Sequence, residues 1–245
     1  MDGETQADLN HFCSQLIEAA GQGKRFLFRS AASLLSALAQ LPPQPVAAES
    51  MAEYVLDDRA GAVVVGSHVK KTTQQLEALL QMPGIEPIEV DVEQIERDRQ
   101  TLLDGIIQQA SQANAHGRTS VIYTSRIEKT FADQATRLAF GERVSALLMD
   151  VVRNLPKSLG FLISKGGITS NDVLSSGLAL RTSRVVGQIL PGCSVVRCPA
   201  GHPRYPNLPV VIFPGNVGDE NALAEAYARL SGVTGETVPS QQARS

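Results

Sequence analysis

The chain has 245 residues, of which 43% are hydrophobic and 19% charged, enough to build one large domain or two small ones. The 22 basic and 25 acidic residues give a net charge of −3, and there is no Trp, so the composition argues against a nucleic-acid-binding protein. No apolar run reaches the roughly 18 residues of a membrane span, and the polar N-terminus is unlike a secretory signal. Because three cysteines do not make a disulfide framework, we expect a cytoplasmic protein without a membrane partner.

The first part of the chain predicts only a few elements. Apolar residues recur at helical spacing in 5–20, a short strand is predicted at 24–28, and a second helix at 30–41. Three prolines within the next few residues should interrupt regular structure, so we place a linker at 41–58. Residues 1–40 therefore look like the end of another domain.

The segment 59–232 predicts a complete domain in which apolar strands alternate with helices. The predicted strands are 62–65, 85–90, 120–123, 160–164, 185–189, 195–197 and 210–213, and the predicted helices are 72–81, 93–115, 132–154, 172–180 and 220–230. This alternation is typical of an α/β fold, a layered helix–sheet–helix domain with a mostly parallel sheet. Residues 233–245 predict a flexible tail.

Small and hydroxyl-bearing residues follow three of these predicted strands, at 66–68, 165–172 and 214–219. Ligands of open α/β sheets bind at the carboxyl ends of strands, where glycine permits close approach and amide groups at a helix start attract anions. Any one of these loops is typical of an ordinary β–α turn. Three together favour a phosphate or nucleotide site, with Lys165 as either a phosphate contact or a solvated lysine.

The sequence lacks several common nucleotide-binding, nucleophile and metal-binding motifs. The chain has no G-x-x-x-x-G-K-[ST], no G-x-G-x-x-G after its first α/β strand and no G-x-S-x-G. Cys193, Cys198 and His202 lack a fourth ligand, so no metal site is predicted. Asp172 and Asp219 follow Gly-rich loops, where they either compensate a helix dipole or bind magnesium through water.

Four segments, taken in order, resemble the C-terminal nucleotide-binding domain of the four-carbon acid sugar kinases, a family that includes threonate, erythronate and 3-oxo-tetronate kinase-like enzymes. These segments are GSHVKKTTQQL at 66–76, FLISKGGITSNDVL at 161–174, VVGQILPGCSV at 185–195 and FPGNVGDENAL at 213–223. The stretch 24–33 resembles the end of that family's N-terminal, sugar-acid-binding domain. The resemblance therefore covers about residues 5–232.

The resemblance implies ATP-dependent phosphorylation of a small sugar acid, with Mg²⁺ bridging the phosphates. It implies these nucleotide-binding residues, carried over motif by motif: Ser67, Gly166, Gly167, Ile168, Thr169, Gly215, Asn216 and Gly218. Lys165 and Arg29 are candidate phosphate or substrate contacts, and Arg29 is equally consistent with a surface ion pair. No catalytic residue is assigned.

The sequence departs from the family in two ways. It has no Asp-Asp-x-T-G segment, which handles the sugar acid in the family's N-terminal domain. Lys70 and Lys71 follow Val69 where the family has a second serine, and their charge would help to bind a polyanion. We therefore expect a C-terminal piece of such a kinase, inactive alone, whose substrate domain is missing or separately encoded.

Two alternatives from other classes remain open. The chain could be a non-catalytic binding or regulatory module that retains the α/β fold. A different phosphate-ligand enzyme, such as an isomerase, is disfavoured because no acid–base pair is evident at the strand ends. The apolar faces of residues 1–40 could also form a homodimer contact.

Overall fold

The N-terminal part of the chain forms a small helical unit. The computed structural model describes residues 3–41, 44–126 and 130–233, which divide into two compact units, Met1–Gln44 and Pro45–Ser245. The first unit contains helices α1 (Gln6–Gly21) and α2 (Ala32–Leu38). The strand predicted at 24–28 is not formed, since the described part of this unit offers no other strand with which it could pair.

The second unit begins earlier than the sequence predicted. Two short 3₁₀ helices, Ala48–Tyr54 and Leu56–Asp58, occupy most of the predicted linker at 41–58. The side chain of Met51 is fully buried in the core of the second unit. These turns therefore belong to the α/β unit, because apolar contact holds them there despite the nearby prolines.

The rest of the second unit alternates strands and helices. Its strands are β1 (Ala62–Val65), β2 (Ile85–Val90), β3 (Thr119–Thr124), β4 (Leu162–Lys165), β5 (Arg184–Leu190), β6 (Cys193–Arg197) and β7 (Pro209–Phe213). Its helices are α3 (Lys70–Leu80), α4 (Gln94–Arg97), α5 (Arg99–Ala115), α6 (Gln134–Asn154), α7 (Gly167–Asp172), which continues as a π-helix (Val173–Gly177), and α8 (Ala222–Ser231).

The strands form one seven-stranded sheet in the order β2-β3-β1-β4-β7-β6-β5. The strands from β2 to β7 in this order run parallel, and β6 pairs antiparallel with both of its neighbours. The predicted fold class, a layered α/β domain with a mostly parallel sheet, is confirmed.

Helices cover both faces of the sheet. Strand β1 is buried on both sides, with Val63 and Val65 packed in one apolar cluster and Ala62 and Val64 in the other. Side chains of α3 and α8 fill the first cluster, and side chains of α5 and α6 fill the second. A continuous run of apolar residues is what a strand between two helical layers requires.

The largest differences from the predicted helix boundaries occur in two helices. The helix predicted at 93–115 is divided at Asp98, whose side chain accepts a hydrogen bond from Thr101 N and caps α5. The helix predicted at 172–180 begins five residues earlier, at Gly167, and ends as a π-helix. The tail predicted at 233–245 lies, apart from Val233, outside the described residues.

None of the helices in the described ranges is long and apolar enough to cross a membrane.

Candidate functional site

Three loops meet at the carboxyl edge of the sheet. They follow the adjacent strands β1, β4 and β7, and are called here the first loop (66–69), the second loop (166–169) and the third loop (214–219). The second loop consists of Gly166 and the first turn of α7. The last residues of these strands are paired in register, Val65 with Lys165 and Lys165 with Phe213. All three loops therefore start at the same level of the sheet.

The first and second loops lie at a topological switch point. The chain leaves β1 toward β2 at one edge of the sheet, whereas it leaves the neighbouring β4 toward β5 at the other edge. Loops that diverge in this way open a crevice between adjacent strands, and this is where open α/β sheets bind their ligands.

The first two loops are tightly packed against each other. A Cβ atom added at Gly66 would lie 2.6 Å from Thr169 Oγ1, so only glycine leaves room for this hydroxyl. Gly166 has φ +115°, and a Cβ atom there would lie 3.4 Å from Ser67 Cβ. Four of the residues implied by the resemblance or its motifs are thus brought together by close backbone approach.

Other parts of the second and third loops face open space. A Cβ atom at Gly167 or at Gly215 would meet nothing within 4 Å. The Ile168 side chain is 80% exposed, which is unusual for a large apolar group beside glycines. Backbone groups of both loops are therefore accessible to a ligand, next to an apolar side chain.

Side chains from β4 and α3 hold the third loop by its carbonyl groups. Lys165 Nζ donates to the carbonyl oxygens of Pro214 (2.7 Å) and Gly215 (3.4 Å). Lys71 Nζ donates to Asn216 O (3.4 Å) and Gly218 O (3.0 Å). Gln75 Nε2 donates to Val217 O (3.0 Å) and Asp219 O (2.6 Å). Six consecutive carbonyl groups are thus engaged by three side chains.

Lys165 lies in an environment different from the predicted one. The residue is fully buried, and its ammonium group lies 4.4 Å from the centre of the Phe213 ring. The pKa of Lys165 is lowered to about 8, mainly by burial and to a smaller extent by the charge of Lys71, while Cys193 opposes the shift. The observed partners of Nζ are carbonyl groups, and a direct phosphate contact stays a prediction.

Two side chains beside these loops, Gln75 and Arg126, were not predicted from the sequence. Gln75 is fully buried on α3, and its Oε1 has no hydrogen-bond partner within the described ranges. Arg126 donates to the Ser67 carbonyl from just beyond β3, while its Nε and Nη2 atoms are buried without a partner among the described residues. Examining every strand end, β3 included, would have found Arg126. Nothing in the sequence indicated Gln75, which acts across 142 positions.

The residues weighed as metal ligands are not gathered into a site. Among the described residues, no group of three or more His, Cys, Asp or Glu side chains could hold a metal ion. Burial raises the pKa of Cys193 and of Cys198 to about 11, so both thiols are protonated at neutral pH. Asp172 accepts a hydrogen bond from Ser145 Oγ at 2.5 Å, whereas Asp219 is exposed in the third loop.

The eight residues implied for nucleotide binding all lie on these three loops. Ser67 belongs to the first loop, the stretch 166–169 forms the second, and Gly215, Asn216 and Gly218 belong to the third. Arg29 is an exposed residue of the N-terminal unit, so its role as an anion contact stays a prediction.

The fold and these loops define an α/β domain of the class that binds its ligand at the carboxyl edge of a parallel sheet. Residues 62–223 match the family described as the nucleotide-binding C-terminal domain, and the chain belongs to that family. The match confirms the resemblance of this chain to the C-terminal nucleotide-binding domain.

Solved structures share the fold at low sequence identity. A putative tRNA synthase from Salmonella typhimurium LT2 is 22% identical, with TM-score 0.55, over 80% of this chain and 44% of that chain. A Haemophilus influenzae protein is 16% identical, with TM-score 0.58, over 94% of this chain and 52% of that chain. A domain of unknown function from Bordetella bronchiseptica, a domain-swapped dimer with bound citrate, is 20% identical with TM-score 0.55, again over 94% and 52%.

The chain thus spans about half the length of the solved structures it matches. No curated protein matches the sequence significantly.

Proposed function

We propose that this chain is the ATP-binding portion of a kinase that phosphorylates a four-carbon sugar acid. The observation that carries the proposal is the convergence of three glycine-containing loops at the ends of β1, β4 and β7. Membership of a nucleotide-binding domain family supports the nucleotide. The identity of the acceptor as a sugar acid rests on the resemblance to the four-carbon acid sugar kinases.

In this proposal, each loop offers a different kind of contact. The Ser67 and Thr169 hydroxyl groups can donate to phosphate oxygens, as can the amides of Gly167 and Gly215, where an added Cβ atom would enter open space. The exposed Ile168 side chain provides an apolar surface of the kind on which a purine base packs. Asn216 and Gly218 shape the third loop beside them.

Mg²⁺ would neutralise the charge of the phosphate chain. A magnesium ion held mainly by phosphates and water needs one or two carboxylates. Among the acidic residues weighed for this role, Asp219 fits best because it is exposed on the third loop, whereas Asp172 is engaged by Ser145.

The proposal is tested by calorimetric titration of the chain with ATP, with and without Mg²⁺, using GTP and ADP for comparison. We expect saturable adenine-nucleotide binding that Gly167→Val removes, because the added side chain enters the space assigned to the nucleotide. Thr169→Ala should weaken binding about tenfold through loss of a phosphate hydrogen bond.

The matched control is Gly141→Val on the exposed face of α6. A Cβ atom added at Gly141 also meets nothing within 4 Å. This variant therefore measures the effect of replacing a helical glycine with valine away from the three loops. Binding that survives Gly167→Val, or fails equally in Gly141→Val, would contradict the placement of the nucleotide. Absence of nucleotide binding at millimolar ATP would contradict the proposal itself and favour a module that kept only the fold.

A further inference from the structure

The carbonyl groups of the third loop all point toward one set of side chains. Lys165, Lys71 and Gln75 donate to the six successive carbonyls from Pro214 to Asp219. In a planar trans peptide unit, the N–H group points away from the carbonyl of the same unit. The amides that follow these carbonyls are therefore directed away from the three side chains.

Those amides are left available by the rest of the fold. Within the described ranges, we find no hydrogen bond from the backbone amides of Gly215, Asn216, Gly218 or Asp219 to another residue. A series of amides without partners, with the carbonyls turned to the opposite side, is an arrangement that binds anions. Gly218 has φ +74°, a value that glycine adopts without strain, and this supports the turn of the loop.

We infer that Lys165, Lys71 and Gln75 are positioning residues that hold the third loop with its amides presented to the phosphate chain, and that the charge on Lys165 controls this arrangement. The inference rests on the proposed function for the identity of the anion. It needs no direct contact between these side chains and the nucleotide. Their effect is exerted through the loop backbone.

Lys165 differs from the other two residues in its burial and its ionisation. Lys71 is exposed and Gln75 carries no charge, whereas Lys165 is fully buried beside the Phe213 ring. The titratable neighbours that act on it are the thiol of Cys193 on β6 and the ammonium group of Lys71 on α3. The Cys193 thiol stays protonated until about pH 11, so no anion from that neighbour retains the Lys165 proton at moderately alkaline pH.

The ionisation of Lys165 sets the direction in which nucleotide affinity changes with pH. Its folded-state pKa is lowered to about 8, so Lys165 loses its proton as the pH rises through that value. The neutral amine makes weaker hydrogen bonds to the two carbonyls and removes a positive charge from beneath the loop. Nucleotide affinity should therefore be highest below pH 8 and should fall above it.

The test combines two measurements on the full chain and its Lys165→Met variant between pH 7 and 9.5, where the phosphates of ATP are already ionised. Calorimetry gives the affinity for Mg²⁺–ATP, and ¹⁵N-resolved amide spectra of Gly215 and Gly218 report on the loop without nucleotide. In the wild-type chain, we expect Kd to rise about tenfold across this range and the two amide signals to shift with a midpoint near pH 8. In Lys165→Met, binding should be weakened at pH 7 and lose its pH dependence.

Two further variants distinguish an effect of the buried Lys165 from the loss of a positive charge at another lysine. Lys71→Met should weaken binding but keep a pH-dependent profile, because the buried lysine is intact. The midpoint of that profile should move to higher pH, since the charge of Lys71 no longer lowers the pKa of Lys165. Lys157→Met, an exposed lysine that precedes β4 at the opposite end of the sheet, should match the wild-type chain in both measurements.

A flat Kd profile together with unmoved amide signals in the wild-type chain would overturn the inference and leave the proposed function standing. If ATP fails to bind at every pH, the proposed function falls. The amide titration then still decides whether Lys165 controls the loop, since it requires no nucleotide.

Discussion

Gly166 has a backbone conformation, φ +115° and ψ 145°, that side-chain-bearing residues rarely adopt. Its carbonyl accepts the Ser170 N–H at 2.8 Å, and its own N–H donates to Phe213 O at 2.9 Å. These two bonds fix the second loop to α7 on one side and to β7 on the other. The glycine is therefore a structural requirement of the loop as well as a predicted ligand contact.

Gly166→Ala should lower the free energy of unfolding by about 1–3 kcal/mol and reduce nucleotide affinity, because alanine strains the backbone and crowds Thr169 Oγ1 at 3.2 Å. Urea unfolding and calorimetry measure the two effects. Gly167→Ala is the matched control for stability, since its Cβ atom enters open space at the start of a helix. Equal unfolding free energies for Gly166→Ala and wild type would refute this assignment of strain.

The connection between β6 and β7 stabilises the end of α6. Tyr205 is buried, and its hydroxyl group lies 2.8 Å from Val152 O and 2.9 Å from Leu155 O. Arg204 Nη2 donates to Leu155 O at 2.6 Å, and its positive charge is favourably placed at a helix C-terminus. A proline-rich segment without a predicted function thus caps the longest helix of the unit.

Tyr205→Phe should lower the free energy of unfolding by about 1–2 kcal/mol, because it leaves carbonyl oxygens at the end of α6 with fewer donors in a buried place. Thermal and urea unfolding measure the change. Tyr54→Phe serves as the control, since no hydrogen bond of its hydroxyl is found among the described residues. A similar loss in both variants would show that the hydroxyl bonds at α6 are unimportant.

Elements of the second unit were predictable where local pattern determines them. The apolar run at 62–65 and the segment 85–90 form strands with the predicted boundaries. The break at Asp98 was missed because apolar periodicity continues across it, and the break depends on one side chain capping α5. In the N-terminal unit, the strand predicted at 24–28 is not formed. An apolar segment becomes a strand only beside a partner strand, and the local sequence does not show whether one is present.

At the scale of the whole molecule, strand order turns three separate loops into one candidate site. Sequence reasoning chose these loops because each follows a strand, but it could not show that β1, β4 and β7 are neighbours. It also could not show that Gln75 and Lys71 reach a loop more than 140 positions away. Such contacts depend on long-range pairing, which a single sequence does not display.

The chain alone should bind Mg²⁺–ATP without phosphorylating a sugar acid. Phosphoryl transfer requires both substrates to be positioned together, and the proposed site accounts only for the nucleotide. The measurement is ADP release with threonate, erythronate or 3-oxo-tetronate as acceptor, compared with a reaction lacking acceptor. Saturable, acceptor-dependent turnover by this chain would contradict the expectation and place the acceptor site within these 245 residues.

The two outer strands of the sheet are poorly suited to accept a further strand. Pro87 in the middle of β2 removes one backbone donor, and the flanking Glu86 and Glu89 carry charge along that border. At the opposite border, the register of β5 shifts between Val185 and Gly187 and again between Gln188 and Leu190. Growth of the sheet by addition of another chain is disfavoured at both borders, which protects a sheet this rich in Val and Ile from fibrous self-association.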